Sequence, residues 1–198
     1  MTKEYLKKIA ITTAQGDARE ESYYRHFSNF LENFSESIGK KNIHITTLPK
    51  ETEAGNPDFR VWDGKQKIVG YVEAKKPGAN LDDVESSEQL RRYRSTFPNL
   101  ILTDFYEFRL YRNGELIDKV LVARPFIAKK LKTVPPIENE EKFITLLEKF
   151  FAFSLPTVFT AESLAVELAK RTGFLRDEIV VKELKEEEHG KGKIFGFY

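Results

Sequence analysis

The chain has no cysteine, one methionine, one tryptophan and three histidines. Without cysteine there are no disulfides, zinc knuckles, iron–sulfur clusters or thiol nucleophiles. His26, His44 and His189 are scattered, so no histidine-rich metal site forms, and each reads as structural or exposed. No run of roughly 18 apolar residues occurs, and the segment from Met1 to Ala10 shows neither a long apolar core nor a cleavage site. The expectation is a cytoplasmic protein without a membrane span or secretory signal. Charge of one sign is lacking too: 32 Lys and Arg against 31 Asp and Glu leave a formal net charge of +1. Any nucleic-acid surface must then be a local patch and not the whole molecule.

What remains is enough to build a core. The 198 residues are 40% hydrophobic and 32% charged, which suits one substantial domain, or one domain plus a small appendage. Apolar residues at Tyr23, Tyr24, Phe27, Phe30, Leu31, Phe34 and Ile38 recur every three or four positions and predict a first helix. Gly16 and Asp17 supply its start and Gly39 its stop. A strand is expected over Ile43 to Leu48, then a polar loop from Lys50 to Pro57. Asp58 to Trp62 and Lys67 to Ala74 read as a strand pair joined by a turn containing Asp63-Gly64. A helix is expected over Val84 to Thr96, ending before Pro98. A short central strand follows at Asn99 to Thr103, then a hairpin turning at Asn113-Gly114. Pro135-Pro136 marks a boundary, after which the pattern is helical: one stripe at Phe143, Leu146, Leu147 and Phe150, a second helix through Leu164 to Ala169, and a charged third over Leu175 to Glu188. The expected domains are therefore 1–135 and a helical spacer, 136–198. Because the chain stops on the aromatic run Phe195-Gly196-Phe197-Tyr198, it reads as the N-terminal piece of a longer polypeptide.

Chemistry concentrates in one ordered set. Side chains alternate along a strand, so Glu73 and Lys75 share a face while Ala74 points away. Asp58 opens the partner strand, and hairpin geometry can bring its carboxylate beside Glu73. Two such carboxylates repel unless a cation lies between them, and oxygen ligands of this kind suit Mg²⁺, which also takes phosphate oxygens. Lys75 would then position an attacking water or offset charge on a five-coordinate phosphate. Glu20 falls on the apolar stripe of the first helix with Tyr24, Phe27 and Leu31, where a carboxylate needs a partner. Glu21 reads as solvated. Gln89 and Tyr93 are four apart and share a helical face, with Arg91, Arg92 and Arg94 nearby. Such a grouping suits a phosphate backbone or base edge. Lys76 reads as a phosphate contact. Trp62 and the phenylalanines read as core.

Pro57-Asp58 followed by Glu73-Ala74-Lys75 resembles the PD-(D/E)xK nuclease superfamily. With Gln89-x-x-x-Tyr93, it looks like the subgroup found in type I restriction subunits and in fused restriction–modification enzymes. Ala18 to Tyr24 is similar to the first helix of those fused enzymes, although Arg25 stands where they often carry proline. Ala165 to Lys170 and Phe174 to Asp177 look like the spacer leading to their adenine-specific methyltransferase domain. The resemblance implies an α/β restriction-endonuclease-like core, a central mixed sheet flanked by helices, with a C-terminal helical extension. It implies Mg²⁺-dependent cleavage of double-stranded DNA, with Mn²⁺ substituting. Asp58, Glu73 and Lys75 would be catalytic; Asp58, Glu73, Glu20 and Ala74 would hold the metal; Gln89, Tyr93, Lys76 and Arg92 would contact DNA. The partners expected are methyltransferase and target-recognition domains beyond this chain, and a second copy on DNA. Two alternatives stand beside this reading: a catalytically inactive DNA-binding or assembly module serving a methyltransferase, and a nuclease acting on RNA or branched DNA in repair.

Overall fold

The computed structural model describes residues 1–65 and 67–154, with isolated positions thereafter. These form an α/β fold around a six-stranded mixed sheet with the order β1-β2-β3-β4-β5-β6. Strands β1 (His44–Thr47), β2 (Phe59–Trp62) and β3 (Ile68–Ala74) pair antiparallel. Strand β4 (Asn99–Thr103) lies parallel to β3, and β5 (Glu107–Arg112) and β6 (Glu115–Leu121) complete an antiparallel meander. Every residue of β4 is buried, and the apolar run Leu100-Ile101-Leu102 at its centre suits a strand covered on both faces. No helix among the described residues is long and apolar enough to cross a membrane.

Helices close both faces. One layer holds α1 (Thr2–Gln15), α2 (Tyr24–Ser37), α5 (Pro125–Leu131) and α6 (Glu140–Phe151). Its core is aromatic: Phe27 packs on Phe59, Phe105 and Phe108, and Phe143 packs on Phe30 and Phe108. The opposite face carries α3 (Leu81–Glu85) and α4 (Glu88–Thr96), which bury Leu81, Leu90 and Tyr93 against Tyr71, Leu100, Leu102 and Tyr111.

Four features differ from the sequence expectation. Helix α1 has no counterpart there: only Tyr5, Leu6 and Ile9 anchor it strongly, and β-branched Ile9, Ile11, Thr12 and Thr13 weaken its local signal. Helix α5 has none either, because seven residues leave little room for periodicity. The single helix expected over Val84 to Thr96 is two, because the Ser87 hydroxyl accepts from the Leu90 N–H at 3.2 Å and starts α4 afresh. Glu20 lies in a 3₁₀ turn, Glu20–Tyr23, that abuts α2, and not in the α-helix itself. The compact unit runs Met1–Leu155, so α6, which follows Pro135-Pro136, packs with the sheet: Phe143 and Phe150 are fully buried in its core. Of the second and third helices expected from sequence, all but isolated positions lie outside the described residues.

Gly70 on β3 marks a close approach of α6 to the sheet. A methyl there would stand 2.6 Å from the Phe150 ring, 2.7 Å from the Asn99 carbonyl oxygen and 2.8 Å from the Asn99 amide. That amide is itself committed, donating to the Val69 and Phe150 carbonyls. Gly70→Ala should therefore destabilise the chain by about 1–3 kcal/mol through overpacking. Urea unfolding checks this, and an unchanged midpoint would show that α6 can retreat freely.

Candidate active site

The register of β2 against β3 builds the site. Phe59 is paired with Val72, so the next step along each strand sets Asp58 opposite Glu73. On β3 the alternation is as expected: Ala74 is fully buried in the layer of α1, α2 and α6, while Tyr71 belongs to the layer of α3 and α4. Glu73 and Lys75 share the Tyr71 side. Parallel pairing carries the strand one residue further, where the Lys75 N–H donates to the Thr103 carbonyl at 2.8 Å.

Asp58, Glu73, Lys75 and Glu20 converge at this end of the sheet. Lys75 Nζ lies 2.5 Å from Glu73 Oε1. The Ala74 N–H donates to Asp58 Oδ2 at 2.8 Å. The Tyr24 hydroxyl donates to Asp58 Oδ1 at 2.5 Å and stands 3.3 Å from Glu20 Oε1. Glu73 is 2% exposed, and its Oε2 is buried with no hydrogen-bond partner. Tyr24 is a residue of this cluster to which sequence reasoning gives no site role, placing it in the apolar stripe and in the Ala18 to Tyr24 resemblance. Its position one turn after Glu20 is the available signal.

The other candidates separate by exposure. Gln89 is exposed and donates from Nε2 to the Tyr93 hydroxyl at 3.1 Å. Tyr93 is 1% exposed, so its ring is core. Its hydroxyl nevertheless feels the charges of Glu73, Asp58 and Lys75, which places α4 beside the acidic cluster. Lys76 is exposed and Arg92 half-buried. Gly55, at φ +115°, lets the loop before β2 press onto α4: a methyl there would stand 3.6 Å from the Tyr93 hydroxyl and 3.7 Å from the Arg92 guanidinium. Trp62 is half-buried, donating to Thr46 with Arg60 over its ring. His26 is half-buried and His44 exposed. His189 lies outside the described residues.

The electrostatics follow from burial. Desolvation pushes the Glu73 carboxyl up to about 8; the Asp58 charge adds to the rise and Lys75 opposes it. Burial alone would lower Lys75, but the Glu73 charge and hydrogen bond outweigh it and the ammonium is raised. Burial also raises Glu20, against the pull of Lys75. Burial and the bond to Asp58 hold the Tyr24 phenol far above its ordinary range, so it stays a donor.

Among the described residues no three acidic or histidine side chains stand close enough together to hold an ion alone. Mg²⁺ does not need three: one or two carboxylates, waters and phosphate oxygens suffice. The orphaned Glu73 oxygen beside Asp58 fits that demand.

The raised carboxyl has a measurable sign. Unfolded Glu73 loses its proton near 4.5 and folded Glu73 near 8. Between these values the folded state keeps a proton that the unfolded state has released, so stability falls as pH rises through the window. Without divalent ions, Glu73→Gln should remove this decline and be the more stable form at about pH 9, with the gap closing towards pH 4.5. Urea titrations of both proteins across the window test this; parallel profiles would mean that Glu73 is already ionised in the folded state.

No family model and no curated protein matches the sequence. The fold is similar to a chain in a cryo-EM structure of a DrdV–DNA complex, with a TM-score of 0.54 and 26% sequence identity. The match covers 76% of this chain and 13% of that one, so the present chain corresponds to a small part of a much longer polypeptide.

Proposed function

We propose that the chain carries a Mg²⁺-dependent DNA endonuclease centre of the PD-(D/E)xK type, the restriction module of a larger restriction–modification protein. The observation that carries this reading is the meeting of Asp58, Glu73 and Lys75 at the shared end of β2 and β3, with one Glu73 oxygen left unbonded. The likeness to a chain of the DrdV–DNA complex supports a DNA substrate, and its small share of that chain supports a module within a longer protein. Methyltransferase and target-recognition domains of the same polypeptide are the partners this assigns, with the C-terminal segment as the start of a connector. Cleaving both strands takes two such centres, hence a second copy on DNA.

Asp58 and Glu73 would hold Mg²⁺, with the Ala74 backbone and Glu20 at its margin; Mn²⁺ would serve in its place. The ion would supply Lewis-acid stabilisation of phosphate oxygens. The chain's own contribution is distinct. Lys75 is kept protonated by Glu73, so an ammonium faces the charge that builds as water adds to phosphorus and the bond to the leaving oxygen breaks. Gln89 presents its amide from an exposed helical face, and Tyr93 acts from below by fixing that amide. Lys76 and Arg92 add positive charge for the phosphate backbone.

One observation favours a second reading. Lys75 closed onto Glu73, where a cation would otherwise sit, also fits an inactive DNA-binding or assembly module. Cleavage and metal binding separate the two. Alanine at Asp58, Glu73 or Lys75 should lower plasmid cleavage by about 10²–10³-fold or more, with the far-UV circular dichroism spectrum retained. Chelation of Mg²⁺ should stop the wild type. A Lys75→Ala chain that cuts at the wild-type rate refutes the role given to the ammonium. A wild type that gives no Asp58-dependent heat on Mg²⁺ titration establishes the inactive module instead.

A further inference from the structure

We infer that Tyr24 is a positioning residue for Asp58: its hydroxyl, anchored by the aromatic core, fixes the orientation in which that carboxylate meets a divalent cation. The inference rests on the metal-dependent reading above and concerns a residue which that reading does not use.

Asp58 sits at the mouth of β2 and is only partly buried, so packing alone does not hold its side chain. Two hydrogen bonds do, one to each oxygen. The Ala74 N–H takes Oδ2 and belongs to a strand paired on both sides. The Tyr24 hydroxyl takes Oδ1 at 2.5 Å. This donor is itself fixed: the Tyr24 ring is 5% exposed, lies 4.7 Å from the Phe59 ring and 6.5 Å from that of Phe105. Phe59 follows Asp58 in sequence, so ring and carboxylate are held by the same strand.

A phenol has one proton to give. Glu20 Oε1 stands 3.3 Å from the Tyr24 oxygen, against 2.5 Å for Asp58, so the proton goes to Asp58. Each carboxylate oxygen offers two acceptor sites, so the bonds from Ala74 and Tyr24, one to each oxygen, leave the carboxylate acceptor sites to spare on the side that faces Glu73. The arrangement therefore orients the carboxylate without consuming it, as hydrogen-bond partners behind metal ligands commonly do.

Tyr24→Phe keeps the ring and deletes the proton donor. Calorimetric titration of the full chain with Mn²⁺ should show affinity weakened by about tenfold or more, and the half-saturating Mn²⁺ for cleavage should shift with it. Phe34→Leu, a core change on the same helix far from Asp58, controls for general destabilisation: it should lower the melting temperature and leave Mn²⁺ affinity at the wild-type value. If wild type binds Mn²⁺ and Tyr24→Phe binds it within twofold, the positioning role is overturned while the metal reading stands. If Phe34→Leu weakens binding as much as Tyr24→Phe, the effect is structural and the role is again overturned. A wild type that binds no Mn²⁺ removes the metal reading and this inference together.

Discussion

The antiparallel pairing that sets Asp58 across from Glu73 is the constraint on which the rest depends. Two acids facing each other over adjacent strands repel, and one is buried, which adds desolvation to repulsion. The neighbours partly offset this. Lys75 supplies a cation on the same strand face, and the Tyr24 hydroxyl and Ala74 N–H supply donors to Asp58. The compensation is incomplete, since Glu73 Oε2 has no partner. A buried polar oxygen left unsatisfied costs about 1–3 kcal/mol. A fold keeps such a group when the surrounding packing over-determines it, and Glu73 lies on a strand paired on both sides, to β2 and to β4.

The site also depends on both faces of the sheet at once. Tyr24 and Glu20 come from the layer of α1 and α2, while Glu73, Lys75 and the Gln89–Tyr93 pair come from the side of α3 and α4. They meet because the strands end there, so side chains from either layer can reach over the rim. The second layer is tied down by charge as well as packing. Arg109 on β5 is 3% exposed and reaches Asp82 at 2.7 Å, Glu85 at 2.6 Å and Glu107 at 2.7 Å. A buried guanidinium needs partners of this kind. By drawing two residues of α3 onto β5, it sets the platform from which α4 starts.

Much of this is legible in the chain, and the reasons differ by element. Strands β2 to β6 announce themselves through alternation or a continuous apolar run bounded by Gly, Pro or Asn, and β4 matches its expected limits, Asn99–Thr103. Asp58, Glu73 and Lys75 are legible because strand alternation and hairpin pairing convert spacing directly into geometry. Helix α1 is not, since its burial depends on contacts such as Tyr5 Oη donating to the Phe105 carbonyl at 2.9 Å, 100 positions away. The division of α3 from α4 turns on one serine hydroxyl, which a periodicity count passes over. Tyr24 is hidden because its ring satisfies the apolar pattern by itself. Only the fold shows that its far end is a hydrogen-bond donor at the site.

Tyr93 carries the same lesson one layer away. Read as a motif with Gln89, it looks like half of a surface pair; in the fold its ring is core and only Gln89 faces outward. The two are unequal partners, one a fixed support and the other the exposed group it steadies. The ring also packs in the same buried cluster as Ala54, in the loop that leads through Gly55 to Pro57 and Asp58. One aromatic side chain is thereby a common reference for the helix that offers the amide and the segment that delivers the first carboxylate. Displacing α4 would shift that support for both, so the distance between the exposed amide and the acidic pair is set by the core and not by either surface element.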